Sequence, residues 1–492
     1  MTETLSRARG RRDFALFACI AIGVMAAYLA IELGMIDVWD GKAMASVAQN
    51  LLQNHSLKEC CQAYHAFPRD PGPYAKFGIG YSLALVPFEH FQLTSSNPGG
   101  AIWLGVANPL LLTGTTLVLL RTGLVLGWRR SSAVLAALSF ALLTMAPIYS
   151  TEFFAEPGVA LGTSVLMLGF VLWPSRAVRG PLLIGFGTAF AILFRPDSII
   201  LLGPIVVLML FLRGRDALLD SWRSWILALG IPIGLALAWT LYYDWLRYGK
   251  PFQVGYSGVY DSRGFGTPLM KGVSVLVWSP GKSFFVYSPI LLAALPGLVW
   301  LARRRRPLVV VVVTMCVLRV LFYARWWTPE GGNSWGPRFL LPLCAVLAIP
   351  LGETFEHLHG LEDRVRRIAK GLIGALAATS FGVQLTSLLV SYRDIFPGIY
   401  NFKGLSLTAK HIVFEQRQHR FTWTWSGNHI WWNVGHIGSR TVHSPLYWFH
   451  GGPSVFGVSM ILLAVLMCVA AISLAFFSDR IDARRMGVKS PR

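Results

Sequence analysis

Several short segments of this chain set charged side chains beside glycine or proline, between long apolar runs. Asp37 and Asp40 stand in Met-Ile-Asp-Val-Trp-Asp-Gly, just past the first apolar run, and Glu152 and Glu156 lie at a short turn between two later ones. Arg195 stands in Phe-Arg-Pro-Asp, and Lys282 in Trp-Ser-Pro-Gly-Lys-Ser-Phe-Phe-Val-Tyr-Ser-Pro. Arg338 closes Trp-Trp-Thr-Pro-Glu-Gly-Gly-Asn-Ser-Trp-Gly-Pro-Arg. A carboxylate can take the proton of a hydroxyl nucleophile, and cations converging on one face make a site for phosphate. Each residue also has a plainer reading. A carboxylate at a membrane boundary is ordinarily a solvated helix end, and a lone arginine there often only reaches up to the headgroups.

The elements that must position these residues are set by composition. Of 492 residues 54% are hydrophobic and only 14% charged, and the mean hydropathy is +0.53. A soluble domain carries about a quarter of its residues as charges, so the solvent for most of this chain is lipid. A helix needs about 20 apolar residues to cross the hydrocarbon core. The apolar runs predict spans at 13–33, 101–120, 131–150, 156–174, 181–194, 197–213, 223–245, 284–302, 307–326, 338–352, 371–392 and 456–477. The expected fold is an all-α polytopic membrane protein of about twelve transmembrane helices. The run 77–91 is interrupted by glycines and Pro87; as a helix it measures only about 22 Å and is expected to insert halfway. With the amphipathic stretch 43–52 it gives the first extracytoplasmic loop amphipathic or half-inserted helices.

The net charge of +20 resides in short clusters, Arg7 to Arg12, Arg129-Arg130, Arg303 to Arg306 and Arg484-Arg485. Clusters between apolar runs are the pattern of cytoplasmic loops facing anionic lipid, not of a nucleic-acid surface. All of them fall inside if both termini are cytoplasmic and 77–91 does not span. The long polar segments 34–100, 246–283, 327–337 and 393–455 then lie outside, with a mixed-charge helix, Glu353 to Lys370, on the inner face. The expected organisation is a core at 1–392, an outer loop at 393–455, and a last helix with a basic tail at 456–492. The first apolar run has no small-x-small cleavage site and is expected to be retained as a helix.

Other features bear less on chemistry. Cys19, Cys316, Cys344 and Cys468 lie in apolar runs and read as small hydrophobes, while Cys60 and Cys61 are adjacent in a polar loop. His429, His436, His443 and His450 recur every seven residues, but Gly435, Gly438 and Pro445 break any helix that would align them on a metal. Trp423, Trp425, Trp431, Trp432, Tyr447 and Trp448 read as an interfacial belt.

The ordered set of motifs resembles the GT-C glycosyltransferases, which include protein O-mannosyltransferases and aminoarabinose transferases and take sugar from a polyprenyl phosphate. The set comprises Asp-Gly after the first helix, Glu156, Phe-Arg-Pro, Arg-Tyr-Gly-Lys-Pro-Phe at 247–252, the Lys282 motif and Trp-Gly-Pro-Arg, over roughly 10–350. The resemblance implies Asp40 as the first-loop catalytic acid residue and Glu156 as the second, with Asp37 competing for the first role. Gly41 would give an acceptor room beside Asp40. Arg338, Lys282 and Arg195 would hold the donor phosphate, with Tyr81, Trp335 and Tyr256 as substrate contacts. Where many relatives carry tyrosine, this chain has Met44.

Such a donor brings its own leaving group, which accords with the lack of a Walker or Rossmann motif. One base acting by direct displacement implies inversion at the anomeric carbon. No cofactor is expected, a divalent cation being the one addition left open. The expected partners are a polyprenyl-phosphate sugar, a glycan, lipid or protein acceptor, and membrane lipid; nucleic acid is not among them. The expected location is the bacterial plasma membrane with the active site facing outward. Two other readings stand beside this one: a lipid-linked-sugar flippase or transporter, and a non-catalytic scaffold binding through 393–455. A flippase should carry ionisable residues along its spans, and here Arg319 is the only basic residue well inside one.

Overall fold

The computed structural model describes residues 2–31, 36, 38–59, 74–94, 101–173, 178–211, 222–253, 264–332, 334–390, 419–437 and 455–485. Asp37, Tyr256, Cys60, Cys61, His443, His450, Tyr447 and Trp448 lie outside the described residues. Among those described, every regular element is helical.

The chain opens with α1 (Thr2–Leu29), α2 (Trp39–Asn54), α3 (Ile79–Leu93), α4 (Ala107–Leu126), α5 (Arg130–Leu143) and α6 (Ala146–Thr151). It continues through α7 (Glu156–Leu172), α8 (Arg179–Phe194), α9 (Leu202–Phe211), α10 (Trp222–Tyr248), α11 (Leu269–Val277) and α12 (Phe284–Tyr287). It ends with α13 (Ala294–Arg304), α14 (Arg306–Arg325), α15 (Leu341–His357), α16 (Asp363–Leu389), α17 (His429–His436) and α18 (Val455–Arg485). Among the described residues seven helices are long and apolar enough to cross a membrane, and four shorter apolar ones match the runs beginning near 131, 156, 181 and 197.

Two predicted spans are broken, each at a proline. The run 284–302 leaves helical geometry at Ser288 (φ −143°, ψ 61°), passes through a 3₁₀ turn at Pro289–Ala293 and resumes as α13. Proline cannot donate to the preceding turn, and backbone groups freed inside a membrane need partners from neighbouring helices. Here α16 supplies them: the Gln384 amide donates to the Tyr287 carbonyl (2.7 Å), and Ser380 Oγ accepts from the Ile290 N–H (2.7 Å). The run 131–150 breaks at extended Thr144, before Pro147 starts α6. The mixed-charge stretch 353–370 is not one helix. It ends α15, turns at Leu358–Gly360 and runs through extended Leu361 and Glu362 into α16.

Helix α15 is the central post, with 94% of its spanning window buried, whereas α16 and α18 show most of their surface outward. Helix α18 packs along α1 and α5, so the last helix belongs to the same bundle. At one end Arg130 pairs with Asp13 (2.7 Å) and Asp482 (2.6 Å), and Asp479 accepts from the N–H groups of Arg130 and Ser131. The start of α1, the start of α5 and the end of α18 thus meet there. At the other end the Asn108 side chain, near the start of α4, donates to the carbonyls of Glu152 and Phe154. Helix α4 therefore returns from the end that α1 reaches. Helix α3 begins against Phe194 at the end of α8, and Gln92 near its other end accepts from the Trp103 N–H ahead of α4 (3.1 Å), so both of its ends lie at that far end.

Candidate active site

Asp40 is in the first turn of α2, and α2 is docked on the turn between α6 and α7. A Cβ on Gly41 would lie 2.3 Å from the Cβ of Phe153. The glycine thus permits close helix packing, and the room expected there for an acceptor is filled by Phe153. Arg247, in Arg-Tyr-Gly-Lys-Pro-Phe, pairs with Asp244 and donates to the carbonyls of Ala75 (2.7 Å) and Phe77 (3.0 Å). It ties the approach to α3 onto α10.

Arg338 is delivered by a curled segment, 330–338, whose ends meet where the Arg338 N–H donates to the Glu330 carbonyl (3.2 Å). Gly331 and Gly336 have φ of 88° and 63°, in the left-handed region that side chains avoid. At Gly336 an added Cβ would also meet the Tyr287 ring at 2.7 Å. From this turn Arg338 Nη1 reaches Asp40 Oδ2 at 2.9 Å, and Nε lies 3.8 Å from Glu156 Oε1. The same Glu156 oxygen takes Arg195 Nη1 at 2.6 Å, and Arg195 Nε goes on to Asp197 at 3.0 Å. Carboxylates and guanidiniums therefore alternate: Asp40, Arg338, Glu156, Arg195, Asp197.

The cations rest on a ring. Arg195 and Arg338 lie over Phe339 at 4.7 and 5.1 Å, Arg338 also lies 4.2 Å from the centroid of Phe154, and Tyr323 stacks on Phe339 at 4.4 Å. Contacts of this kind favour a guanidinium with few waters around it. The Tyr323 hydroxyl donates to Asp197, and Arg319 Nε donates to the Phe339 carbonyl at 2.6 Å. Arg338 Nε is enclosed without a hydrogen-bond partner among the described residues. The fork thus keeps donor capacity that its two carboxylates do not use.

Of the predicted site residues, Asp40, Glu156, Arg195 and Arg338 come together directly. Glu152 and Glu156 are both buried, not solvated helix ends. Lys282 is close by but turned away: its ammonium donates to the carbonyls of Ser334 (2.6 Å), Gly332 (3.2 Å) and Gly336 (3.5 Å). Burial pulls its pKa down from the ordinary 10.5 to about 7, with Glu330 opposing the shift and Arg338 adding to it. Tyr81 packs against Phe194, and Trp335 meets Tyr287 edge-on and stacks near His429. Both are 0% exposed, so neither presents surface to a ligand in this structure.

Asp197, Tyr323 and Phe339 join the cluster without being expected in it, although Asp197 stands in the Phe-Arg-Pro-Asp motif, and Arg319 is expected only as a charge within a span. Arg319 and Tyr323 share one face of α14 at i, i+4, a spacing visible in the sequence. Their partners across the bundle were not. In the last loop His429 is buried between Trp335 and Phe421, its pKa held well below the usual value by burial and by Lys282. His436 stacks on Trp432, and no three metal-ligating side chains converge among the described residues. Trp425 and Trp431 are exposed. Cys19, Cys316, Cys344 and Cys468 carry free thiols.

The whole bundle superposes on known structures. ArnT from Cupriavidus metallidurans bound to undecaprenyl phosphate matches with a TM-score of 0.53 at 15% identity, over 94% of this chain and 76% of that one. Its apo state matches with a TM-score of 0.51 at 16% identity, over 95% and 77%. The oligosaccharyltransferase AglB from Archaeoglobus fulgidus, in complex with an inhibitory peptide and a dolichol-phosphate, is more distant: TM-score 0.43, 13% identity, 82% and 59% covered. No family model and no curated protein matches the chain by sequence. The chain shares the fold of ArnT.

Proposed function

We propose that this chain is a membrane glycosyltransferase. It moves a sugar from a polyprenyl-phosphate donor to an acceptor hydroxyl, at the extracytoplasmic face of a bacterial plasma membrane. The observation that carries this reading is Arg338, which pairs with Asp40, sits beside Glu156, and keeps an enclosed N–H without a hydrogen-bond partner among the described residues. One guanidinium then touches both the base and the leaving group. The basic clusters gather with the ends of α1 and α18, so the positive-inside tendency supports an outward-facing site. The fold it shares with ArnT, a protein solved with undecaprenyl phosphate bound, supports the donor class.

In this reading the donor phosphate takes up the spare donors of Arg338, with Arg195 and Lys282 adding positive charge behind it. Sharing the guanidinium with phosphate loosens its pair with Asp40 and leaves that carboxylate free to take a proton. Asp40 removes the acceptor hydroxyl proton as the oxygen attacks the anomeric carbon from the face opposite the phosphate. The bond from that carbon to the phosphate oxygen breaks, its electron pair leaves with polyprenyl phosphate, and the configuration inverts. Charge growing on the departing oxygen is met by Arg338, which is already oriented. Glu156 holds Arg338 and Arg195 in place and is the second acidic residue of the reaction centre. The sugar, hexose or pentose, is left open, as is the acceptor among glycan, lipid and protein.

The test is purified protein given synthetic polyprenyl-phosphate sugars, with products read by mass spectrometry. Transfer by the native chain and none by Asp40→Asn, at equal donor binding, supports the reading. Donor movement across vesicle membranes without any transfer would replace it with a flippase.

A further inference from the structure

Lys282 is in the wrong place to hold a phosphate. Its side chain is 1% exposed, and an ammonium has three protons to donate. All three are directed at carbonyls of one segment, Gly332, Ser334 and Gly336. The Phe421 ring closes the remaining side at 5.4 Å. Phe421 is held there by the chain: the Gly281 N–H donates to the Thr422 carbonyl (3.0 Å), and the Asn428 amide donates to the Pro280 carbonyl (3.1 Å). A Cβ on Gly281 would sit 2.0 Å from the Phe421 carbonyl oxygen, so the two backbones touch.

The segment Lys282 holds is the one that ends in Arg338. The carbonyls of a turn built from left-handed glycines converge on a point, and such a cluster of negative dipole ends calls for a cation. In many proteins that cation is a metal ion; here it is tethered to the chain. The geometry points to Lys282 as a positioning residue: its ammonium acts as an internal cation that keeps the 332–336 turn curled and so aims Arg338 at the donor phosphate. The part of the last loop that packs over it, 421–428, shuts water out of this cage. This inference rests on the reading of Arg338 as the phosphate ligand, and it alters the role of Lys282 from contact to support.

The charged groups facing Lys282 are Glu330 and Arg338 on the turn and His429 from α17. Burial keeps His429 neutral across the working range. With a pKa near 7, Lys282 loses its proton just above neutrality. The neutral amine has two protons for three carbonyls, and the cage loosens. Binding of undecaprenyl phosphate through Arg338 should therefore weaken as pH rises from about 6 to 8.5. A phosphate monoester gains charge over that same range, which by itself would strengthen binding, so the two causes differ in sign.

The experiment measures undecaprenyl phosphate binding by the full chain in detergent, for the native protein, Lys282→Met, Lys282→Arg, Arg338→Ala and the double variant. Lys282→Met should weaken binding about tenfold when Arg338 is present and less than twofold when it is already alanine. Lys282→Arg should restore part of the loss. Hydrogen exchange in 330–338, read without any ligand, should be about tenfold faster in Lys282→Met. Equal losses in both backgrounds would mean that Lys282 touches phosphate, and the inference falls. Unchanged exchange in the turn overturns it as well. If Lys282→Met does not fold, the native pH series decides: binding that strengthens steadily from pH 6 to 8.5 sinks the idea. If the native chain does not bind undecaprenyl phosphate at all, the donor reading fails, and the exchange measurement alone judges the cage.

Discussion

The bundle carries a cluster of ion pairs at each end, built from the same residue types for different ends. At the α1 and α18 end, Arg130 is spent: Asp13 and Asp482 take its guanidinium, and Asp479 takes the N–H groups around it. Trp128 and Arg304 likewise share Glu353 at 2.7 and 3.1 Å. These contacts tie together helices distant in the chain, and the charges are matched where they stand. At the α2 and α3 end Arg338 is paired but not exhausted, with an enclosed N–H left over. An enclosed N–H is not confined to this end, since Arg12 Nη1, on the arginine that pairs with Asp482, also has no hydrogen-bond partner among the described residues. What sets Arg338 apart is its place between two carboxylates and beside a second arginine. The difference separates a fastening from a site.

The largest expected effect tests that separation directly. Asp40→Asn keeps the shape of the side chain but cannot take a proton, so transfer should fall by roughly two to four orders of magnitude while donor binding persists. Single-turnover assays of Asp40→Asn and Asp37→Asn side by side would show which carboxylate carries the proton. Normal turnover by Asp40→Asn would reduce its pair with Arg338 to a fastening like the one at the other end.

Next in size is Arg338→Ala. Losing one charge-assisted contact to phosphate costs about 1.5–3 kcal/mol, or roughly ten- to a hundredfold in rate. Arg338→Lys should recover only part, because a point charge lacks the planar fork. The converse prediction concerns Arg130→Met. It should cost about 2 kcal/mol of stability, less than a fully buried pair because Asp13 and Asp482 keep 30% and 29% of their side-chain exposure. Transfer per folded molecule should stay unchanged. A drop in the specific rate of the Arg130 variant would erase the distinction between the ends.

The smallest effect is on stability against pH. Burial lowers the pKa of Lys282 to about 7, so between there and 10.5 the unfolded chain holds a proton that the folded chain has released. Raising the pH through that window favours the folded chain, and the benefit is absent below pH 7, where both forms are charged. Thermal unfolding of the native protein should gain on Lys282→Met as pH rises from about 7 to 10. A constant gap between the two would mean that the amine titrates normally.

How much of this could be read beforehand differs by region. The spans were visible because twenty apolar residues in a row have one physical meaning. Placing α2 and α3 at one end followed from basic clusters that a further crossing would have put on the wrong side. The breaks at Ser288 and Thr144 were not visible, because a proline in an apolar run ends a helix only if neighbours can take the freed backbone groups. Ser380 and Gln384 lie about ninety residues further on in the chain. Motif order alone assigned Arg338 and Asp40 to one site across 298 residues, but their pairing was not legible. Lys282 shows the limit. Its charge and motif marked it for the site, but only the positions of three carbonyls show which way the charge points.

The repair of the broken helix has one more consequence. The buried residues of α16 are Ser380, Gln384 and Ser387, spaced as a single stripe, while most of the rest of the helix is turned outward. The helix is inside out compared with one from a soluble protein, with its polar stripe facing protein and its apolar face toward lipid. Such a stripe works as a key cut for one lock. A slip of α16 by a single residue, or a turn of about 100°, would carry Gln384 into hydrocarbon and strand the Tyr287 carbonyl. Lipid alone would not care how a greasy helix is rotated. Two hydrogen bonds to a gap in a neighbouring helix set the rotation of α16 and its depth.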